Sequence, residues 1–175
     1  FSPAFVENKL KFSQHVEEAV VFGGEERPFV TAMVSIDAET VGTWAERNHL
    51  SYTTYTDLAQ QQRVYELIGE AIARANEDLP ESVRVSRYVL LHKELDADDE
   101  ELTRTRKVRR GTINERYAPI VDALYDEGAD SVVVRAAVTY QDGSRVEREL
   151  DLRIQAMNGL ALSRDDVRDD VGIGV

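Results

Sequence analysis

Cysteine is missing from this chain altogether, which excludes disulfides, thiolate metal sites and a cysteine nucleophile. That absence fits a cytoplasmic location. Lysine is scarce: Lys9, Lys11, Lys93 and Lys107 are the only ones among 21 basic residues. Acid excess with so little lysine suits either a high-salt cytoplasm or a GC-rich genome that favours arginine codons. Long hydrophobic runs are missing too. No stretch reaches about 18 apolar residues, so no transmembrane helix is expected. The first residues do not read as a signal peptide, since no cationic-then-apolar region leads to a small-residue cleavage site. Positive charge is in deficit overall, 21 bases against 33 acids for a net charge of −12. A nucleic-acid partner is therefore disfavoured, because a phosphate backbone would be repelled over most of the surface.

What remains is ordinary for a globular protein, 42% apolar and 31% charged in 175 residues. That length predicts one domain, or one with a small appendage. Ser2-Pro3 reads as an N-cap followed by proline at the first helical position. The helix that follows, Ala4 to Phe12, spaces Phe5, Val6, Lys9 and Phe12 helically, with the apolar members on one stripe. Nothing resembling an entry segment precedes it, so the chain is expected to be cut from something longer.

Two strands, His15–Phe22 and Pro28–Ile36, are expected around a Gly23-Gly24-Glu25-Glu26-Arg27 turn. Their apolar runs suit a sheet covered by helices on at least one face. Asp37 is expected to cap a helix to about Asn48, with Val41, Trp44 and Ala45 inward. Ser51–Thr56 is a polar connector, and Asp57 starts a short helix. Val64, Leu67, Ile68, Ala71, Ile72 and Ala75 mark a longer helix over Gln62–Glu77, stopped at Pro80. Arg84–His92 is a third strand. A further helix spans Gly111 to about Tyr125, kinked or divided at Pro119, with Tyr117 in the core. Beyond Asp126, strands at Val132–Tyr140 and Arg145–Ile154 flank Asp142-Gly143, a strong hairpin signal. From Asn158 the composition is Gly-, Asp- and Arg-rich, a tail or a short docked segment. The predicted fold is α+β: a small β-sheet flanked by helices, with an extra C-terminal β-hairpin. The predicted divisions are 1–128 for the main unit, 129–157 for the hairpin and 158–175 for the tail.

Against the acidic background, residues 103–110 read Thr-Arg-Thr-Arg-Lys-Val-Arg-Arg, five cations in eight positions. Five acids lie just upstream, within Leu95–Leu102. A solvated charge run is the ordinary explanation of such a cluster. Cations at a helix N-terminus oppose the helix dipole, however, so helix stability does not account for them. An anionic, phosphate-bearing ligand gives the arrangement a purpose. The flanking acids are expected to neutralise the cluster when no ligand is present. Lys107 falls on a loop and can reach outward.

Leu102-Thr-Arg-Thr-Arg-Lys-Val-Arg-Arg110 resembles the C-terminal lysine motif of adenylate-forming enzymes, generally Pro-Lys-Thr-x-Ser-Gly-Lys. It is more similar still to the long-chain fatty acyl-CoA synthetase version, Leu-Thr-Pro-Thr-x-Lys-x-Arg-Arg. Phe1-Ser-Pro-Ala-Phe-Val-Glu7-Asn resembles the segment after that family's interdomain hinge, Ile-Ser-Pro-x-x-Ile/Val-Glu. The elements between follow in the family's order, and the likeness covers about residues 1–125. Arg104 and Arg106 depart from the pattern, standing where the family has proline and a small or glycine-like residue. The 131–155 hairpin is no part of it.

The resemblance implies the C-terminal lid domain of a fatty acid–CoA ligase. Its partner would be an N-terminal adenylation domain holding the ATP and acyl pocket. ATP, Mg²⁺ and CoA would serve the full-length enzyme, with none expected on the fragment, which alone is expected to be inactive. Lys107 is implied as the catalytic lysine of adenylate formation, with Arg104 and Arg106 as substrate-binding candidates. The lid would then rotate for thioester formation with CoA.

Other candidates weigh less. His15, His49 and His92 have no metal-ligand spacing and read as surface or strand residues. The Asp98–Glu101 run reads as solvated, and no metal site is expected. Glu7 suits a local helix-start role at least as well as a catalytic one. Two other classes stay open: an anion-binding module without chemistry, and an oligomerising domain that pairs through the hairpin edge.

Overall fold

The computed structural model describes residues 1–158. The expected tail therefore lies outside the described residues, apart from Asn158. Helix α1, Pro3–Leu10, begins with proline at its first position, where the missing N–H has no intrahelical partner to lose. Its buried stripe is Val6, Glu7 and Leu10. Phe5 and Phe12 lie outside it, 51% and 82% exposed, with the Lys9 ammonium near both rings. The expected Phe5–Phe12 stripe is thus wrong. Those rings sit about a quarter-turn from the Val6–Leu10 row that meets the sheet.

Strands β1, Val16–Phe22, and β2, Val30–Ile36, form the expected antiparallel hairpin. Every residue of β2 is buried, which explains why it carries no charge and is apolar apart from Thr31 and Ser35. Helices α2 (Ala38–Arg47), α3 (Tyr55–Ala59) and α4 (Gln62–Glu77) then cross to β3, Val85–Leu90, which pairs parallel with β2. A parallel neighbour requires such a crossover. The Asp37 side chain caps α2 by accepting from Thr40 N at 3.0 Å. Helix α3 is capped by Thr54, not Asp57: Thr54 Oγ1 accepts from Asp57 N at 2.9 Å. Trp44 is half-buried against the core rather than fully inward.

The helix expected over 111–125 is divided into α5, Arg110–Arg116, and α6, Ala118–Tyr125, which meet at Tyr117. Pro119 cannot donate to a carbonyl one turn back, so the ladder breaks there. Strands β4, Ser131–Thr139, and β5, Arg145–Arg153, make a separate two-stranded sheet. A short strand unforeseen in the sequence, β6 (Gln155–Ala156), follows at once and pairs antiparallel with β3. The main sheet therefore runs β1-β2-β3-β6.

Side-chain alternation along this sheet divides the core in two. Ala32, Val34, Tyr88 and Leu90 face α1, α2, α3 and α4; Val20, Met33, Val89 and Leu91 face α5, α6 and the β4–β5 hairpin. Tyr65 of α4 ties the layers together: its hydroxyl donates to Arg153 O at 2.8 Å and accepts from Leu90 N at 3.2 Å. The Arg87 guanidinium gathers the carbonyls of Leu124, Asp126 and Ala129, holding the link between α6 and β4 against β3.

Candidate functional site

The cation cluster is a tight loop at the rim of the second core. Leu102 and Val108 form an antiparallel bridge that closes its stem. Leu102 is buried and Val108 half-buried, both packed in that core. Within the loop, Thr103 N donates to Lys107 O at 2.8 Å and Arg106 N to Thr103 O at 2.9 Å. The Thr103 hydroxyl accepts from Lys107 N at 3.0 Å. Arg106 adopts φ 63°, a left-handed conformation that glycine takes without penalty. That is the position where the resembled motif carries a small or glycine-like residue. Arg104, Arg106 and Lys107 thus share one exposed tip.

Glu101 carries the stem. It is fully buried, so its expected solvation is wrong. Its carboxylate receives Lys93 Nζ at 2.9 Å, Arg116 Nη1 at 3.4 Å, Asp96 N at 3.1 Å and the Tyr117 hydroxyl. Its carbonyl accepts from Arg109 N at 2.9 Å. A buried carboxylate is tolerable only when so compensated. Burial pulls the Lys93 ammonium down, but hydrogen bonds and charge from Asp99 and Glu101 outweigh it and leave its pKa raised. Burial, and then Glu101, push the Tyr117 hydroxyl up, keeping it a donor. The Lys93 contact in turn holds the Asp99 carboxyl below its usual range.

The loop's cations are not neutralised by the neighbouring acids, as the sequence suggested; distant carboxylates take that part. Arg106 pairs with Glu17 of β1 at 3.1 Å. Arg110 pairs with Glu7 of α1 and approaches Val21 O at 3.5 Å. Glu7 is buried in mid-helix and also accepts from Val21 N at 2.7 Å. It therefore does not sit at a helix start. It fastens α1 to β1 and to the first residue of α5. Among the described residues, Arg104, Lys107 and Arg109 have no ion-pair partner. The result is a short, closed turn that carries two uncompensated cations, Arg104 and Lys107, at its tip and has its base pinned by Glu101 and Glu7.

His92, read from sequence as a surface or strand residue, lies just beyond β3 and is buried, with no partner for Nδ1. Burial pushes its pKa down to about 4, with Lys93 adding to the effect and Glu101 opposing it. Nothing in the local sequence distinguishes it from His15 or His49. No cluster of three or more metal-ligating side chains occurs among the described residues, and no helix there is long and apolar enough to cross a membrane.

Residues 1–129 match the family model of the AMP-binding enzyme C-terminal domain. The chain belongs to that family. The AMP-binding C-terminal domain thus comprises α1 to α6 with β1, β2 and β3, and the match ends two residues before β4. This domain is 29% identical over 127 residues to the long-chain-fatty-acid–CoA ligase FadD15 of Mycobacterium tuberculosis, covering 72% of the chain and 21% of that protein. It is also 29% identical over 126 residues to long-chain-fatty-acid–CoA ligase 1 of Cavia porcellus, covering 71% and 18%. The chain thus spans about a fifth of these relatives' length. In fold it matches the A domain of a carboxylic acid reductase from Segniliparus rugosus, solved with AMP and a co-purified carboxylic acid. The TM-score is 0.58 at 17% identity, over 74% of this chain and 18% of that one. The A-PCP didomain of the same organism's reductase gives 0.56 at 16% identity, over 71% and 16%.

Proposed function

We propose that this AMP-binding C-terminal domain is the lid of a long-chain fatty acid–CoA ligase and that Lys107 is its catalytic lysine. The observation that carries the reading is Lys107 itself: exposed on a closed turn, it is the one ammonium among three cluster cations without an ion-pair partner, the others being the guanidinium groups of Arg104 and Arg109, while Arg106 and Arg110 are engaged. A cation free at the tip can be inserted into a pocket that another domain builds, and a compact ammonium on a long stem suits that task.

In the reaction, a fatty carboxylate attacks the α-phosphate of ATP, giving acyl-adenylate and pyrophosphate. CoA thiol then attacks the adenylate, giving the thioester and releasing AMP. The first step brings two anions together. A preorganised cation between them lowers that barrier because it meets charge where charge is concentrated. Glu101 and Glu7 keep the loop closed beneath the lysine, so little ordering remains to be done on insertion. Arg104 lies on the same tip and adds field for a polyphosphate, whereas Arg106 must leave Glu17 to do so. The second step needs CoA where the loop has been, which requires the lid to rotate. The described residues offer no carboxylate cluster for Mg²⁺, and no step is assigned to it.

In the full-length enzyme, Lys107→Ala should lower the rate of adenylate formation by about 10²–10³, the usual cost of one such electrostatic contact. Thioester formation from pre-made acyl-adenylate should be spared. Equal loss in both half-reactions, or a larger defect from Arg109→Ala, would overturn the assignment.

A further inference from the structure

The β4–β5 hairpin lies outside the family match, and it roofs a cleft of about 470 Å³ over α6 and the end of β3. Clefts of that size, roughly 300–1,000 Å³, are typical of small-molecule sites. Its basic lining consists of Lys93, Arg116, Arg135 and Arg145. Three of these cations are answered within the fold. Lys93 and Arg116 bind Glu101, and Arg135 faces Glu147 at 3.8 Å. Arg145 has no ion-pair partner among the described residues, although its charge is felt at Asp99 across the cleft. His92 also lines the cleft. It is 8% exposed, and its Nδ1 is buried without a hydrogen-bond partner. That nitrogen is sealed off, so a ligand in the cleft meets the imidazole at its remaining exposed edge. The remaining wall includes Pro119, Ile120, Val133 and Val134.

We propose that this cleft is a second binding site, distinct from the lysine loop, for a singly charged carboxylate bearing an aliphatic tail. One uncompensated guanidinium and one unpartnered imidazole match a single anionic head with two acceptor oxygens. A doubly charged phosphate would leave charge unanswered beside Asp99 and Glu101. The apolar wall gives the tail somewhere to lie, which an inorganic anion does not need. The ligand neither reacts nor transfers a group here. The hairpin provides Arg145 and one apolar side, so the site exists only where the family domain carries this addition.

The test is imidazole NMR on the 175-residue chain, whose three histidines make the spectrum easy to assign. Octanoate should shift the His92 ring and raise its pKa while leaving His15 and His49 in place. Acetate, with the head and little tail, and inorganic phosphate should each bind at least about tenfold more weakly, since the tail's burial is lost. Arg145→Glu, on an exposed strand position, should weaken octanoate by about tenfold or more without altering the amide spectrum elsewhere. His92→Phe, which keeps the volume and removes the donor, should weaken it comparably. Lys107→Ala should bind octanoate as the parent does, so failure here and failure of the ligase reading are told apart. A silent His92 overturns the proposal. So does equal binding of phosphate, equal shifting of all three histidines, or indifference to Arg145→Glu.

Discussion

Arg106 holds a backbone conformation that costs an L-residue about 1 kcal/mol, φ 63° at the turn before Lys107. Its pair with Glu17 is exposed on both sides and offsets little of that. Two substitutions isolate the backbone term, because both remove the ion pair. Arg106→Gly should leave the chain more stable than Arg106→Ala by about 0.5–1 kcal/mol, allowing for glycine's freer unfolded state. Urea denaturation measures the difference, and alanine equal to glycine would show that the turn relaxes instead. At this scale, legibility depended on distance along the chain. The Thr103–Lys107 turn is local, so the motif that marks it is visible in nine consecutive residues. What anchors it is not local. Arg110 meets Glu7 across 103 residues and Arg106 meets Glu17 across 89. A run of five acids gives no sign that Glu101 alone turns inward. Its one cue is position, directly before the buried Leu102 of the stem bridge.

The elements that sequence placed well are those whose signal repeats. Helix α4 runs over Gln62–Glu77, as its 3.6-residue period required, and Asp142-Gly143 marks the turn between β4 and β5, with Gly143 at φ 85°. Strand β6 was invisible because it is two residues long and follows Ile154 without a turn signal. Helix α1 stands about where the sequence puts it, but of the expected apolar stripe only Val6 is buried; Phe5 and Phe12 stay exposed, and Glu7 and Leu10 complete the inward face. The hairpin's own energetics depend on which face a residue occupies. Leu152 is fully buried in the second core, whereas Val146, near the turn, is 48% exposed. Leu152→Ala should therefore cost about 2–5 kcal/mol, and Val146→Ala less than about 0.5 kcal/mol. Thermal unfolding of the two variants checks this. Similar losses would mean that the hairpin is not seated on α6 and β3 as described.

For the molecule as a whole, charge and positioning reside in different places. Lys107 supplies a cation, yet it stands exposed at a tip with no walls to orient two substrates. Orientation accounts for several kcal/mol of barrier reduction in reactions between bound partners, about 7–11 at the upper end. The 175-residue chain incubated with ATP, Mg²⁺, CoA and palmitate should accordingly yield no acyl-CoA above a blank. Measurable turnover would refute the lid reading directly.

The central place of β2 also carries a cost during synthesis. Its sequence, Val-Thr-Ala-Met-Val-Ser-Ile, has no charge and no proline, and both of its edges are satisfied only when β1 and β3 are present. The β1 edge is available at once, but the β3 edge must wait for residues 85–90 to emerge. At typical ribosomal speeds that interval is on the order of seconds. For that time the nascent chain carries an open, uncharged strand edge of the kind that recruits other chains. Crowding of polysomes on one message would raise the hazard, and a trailing chaperone that covers residues 30–36 until the crossover closes would remove it.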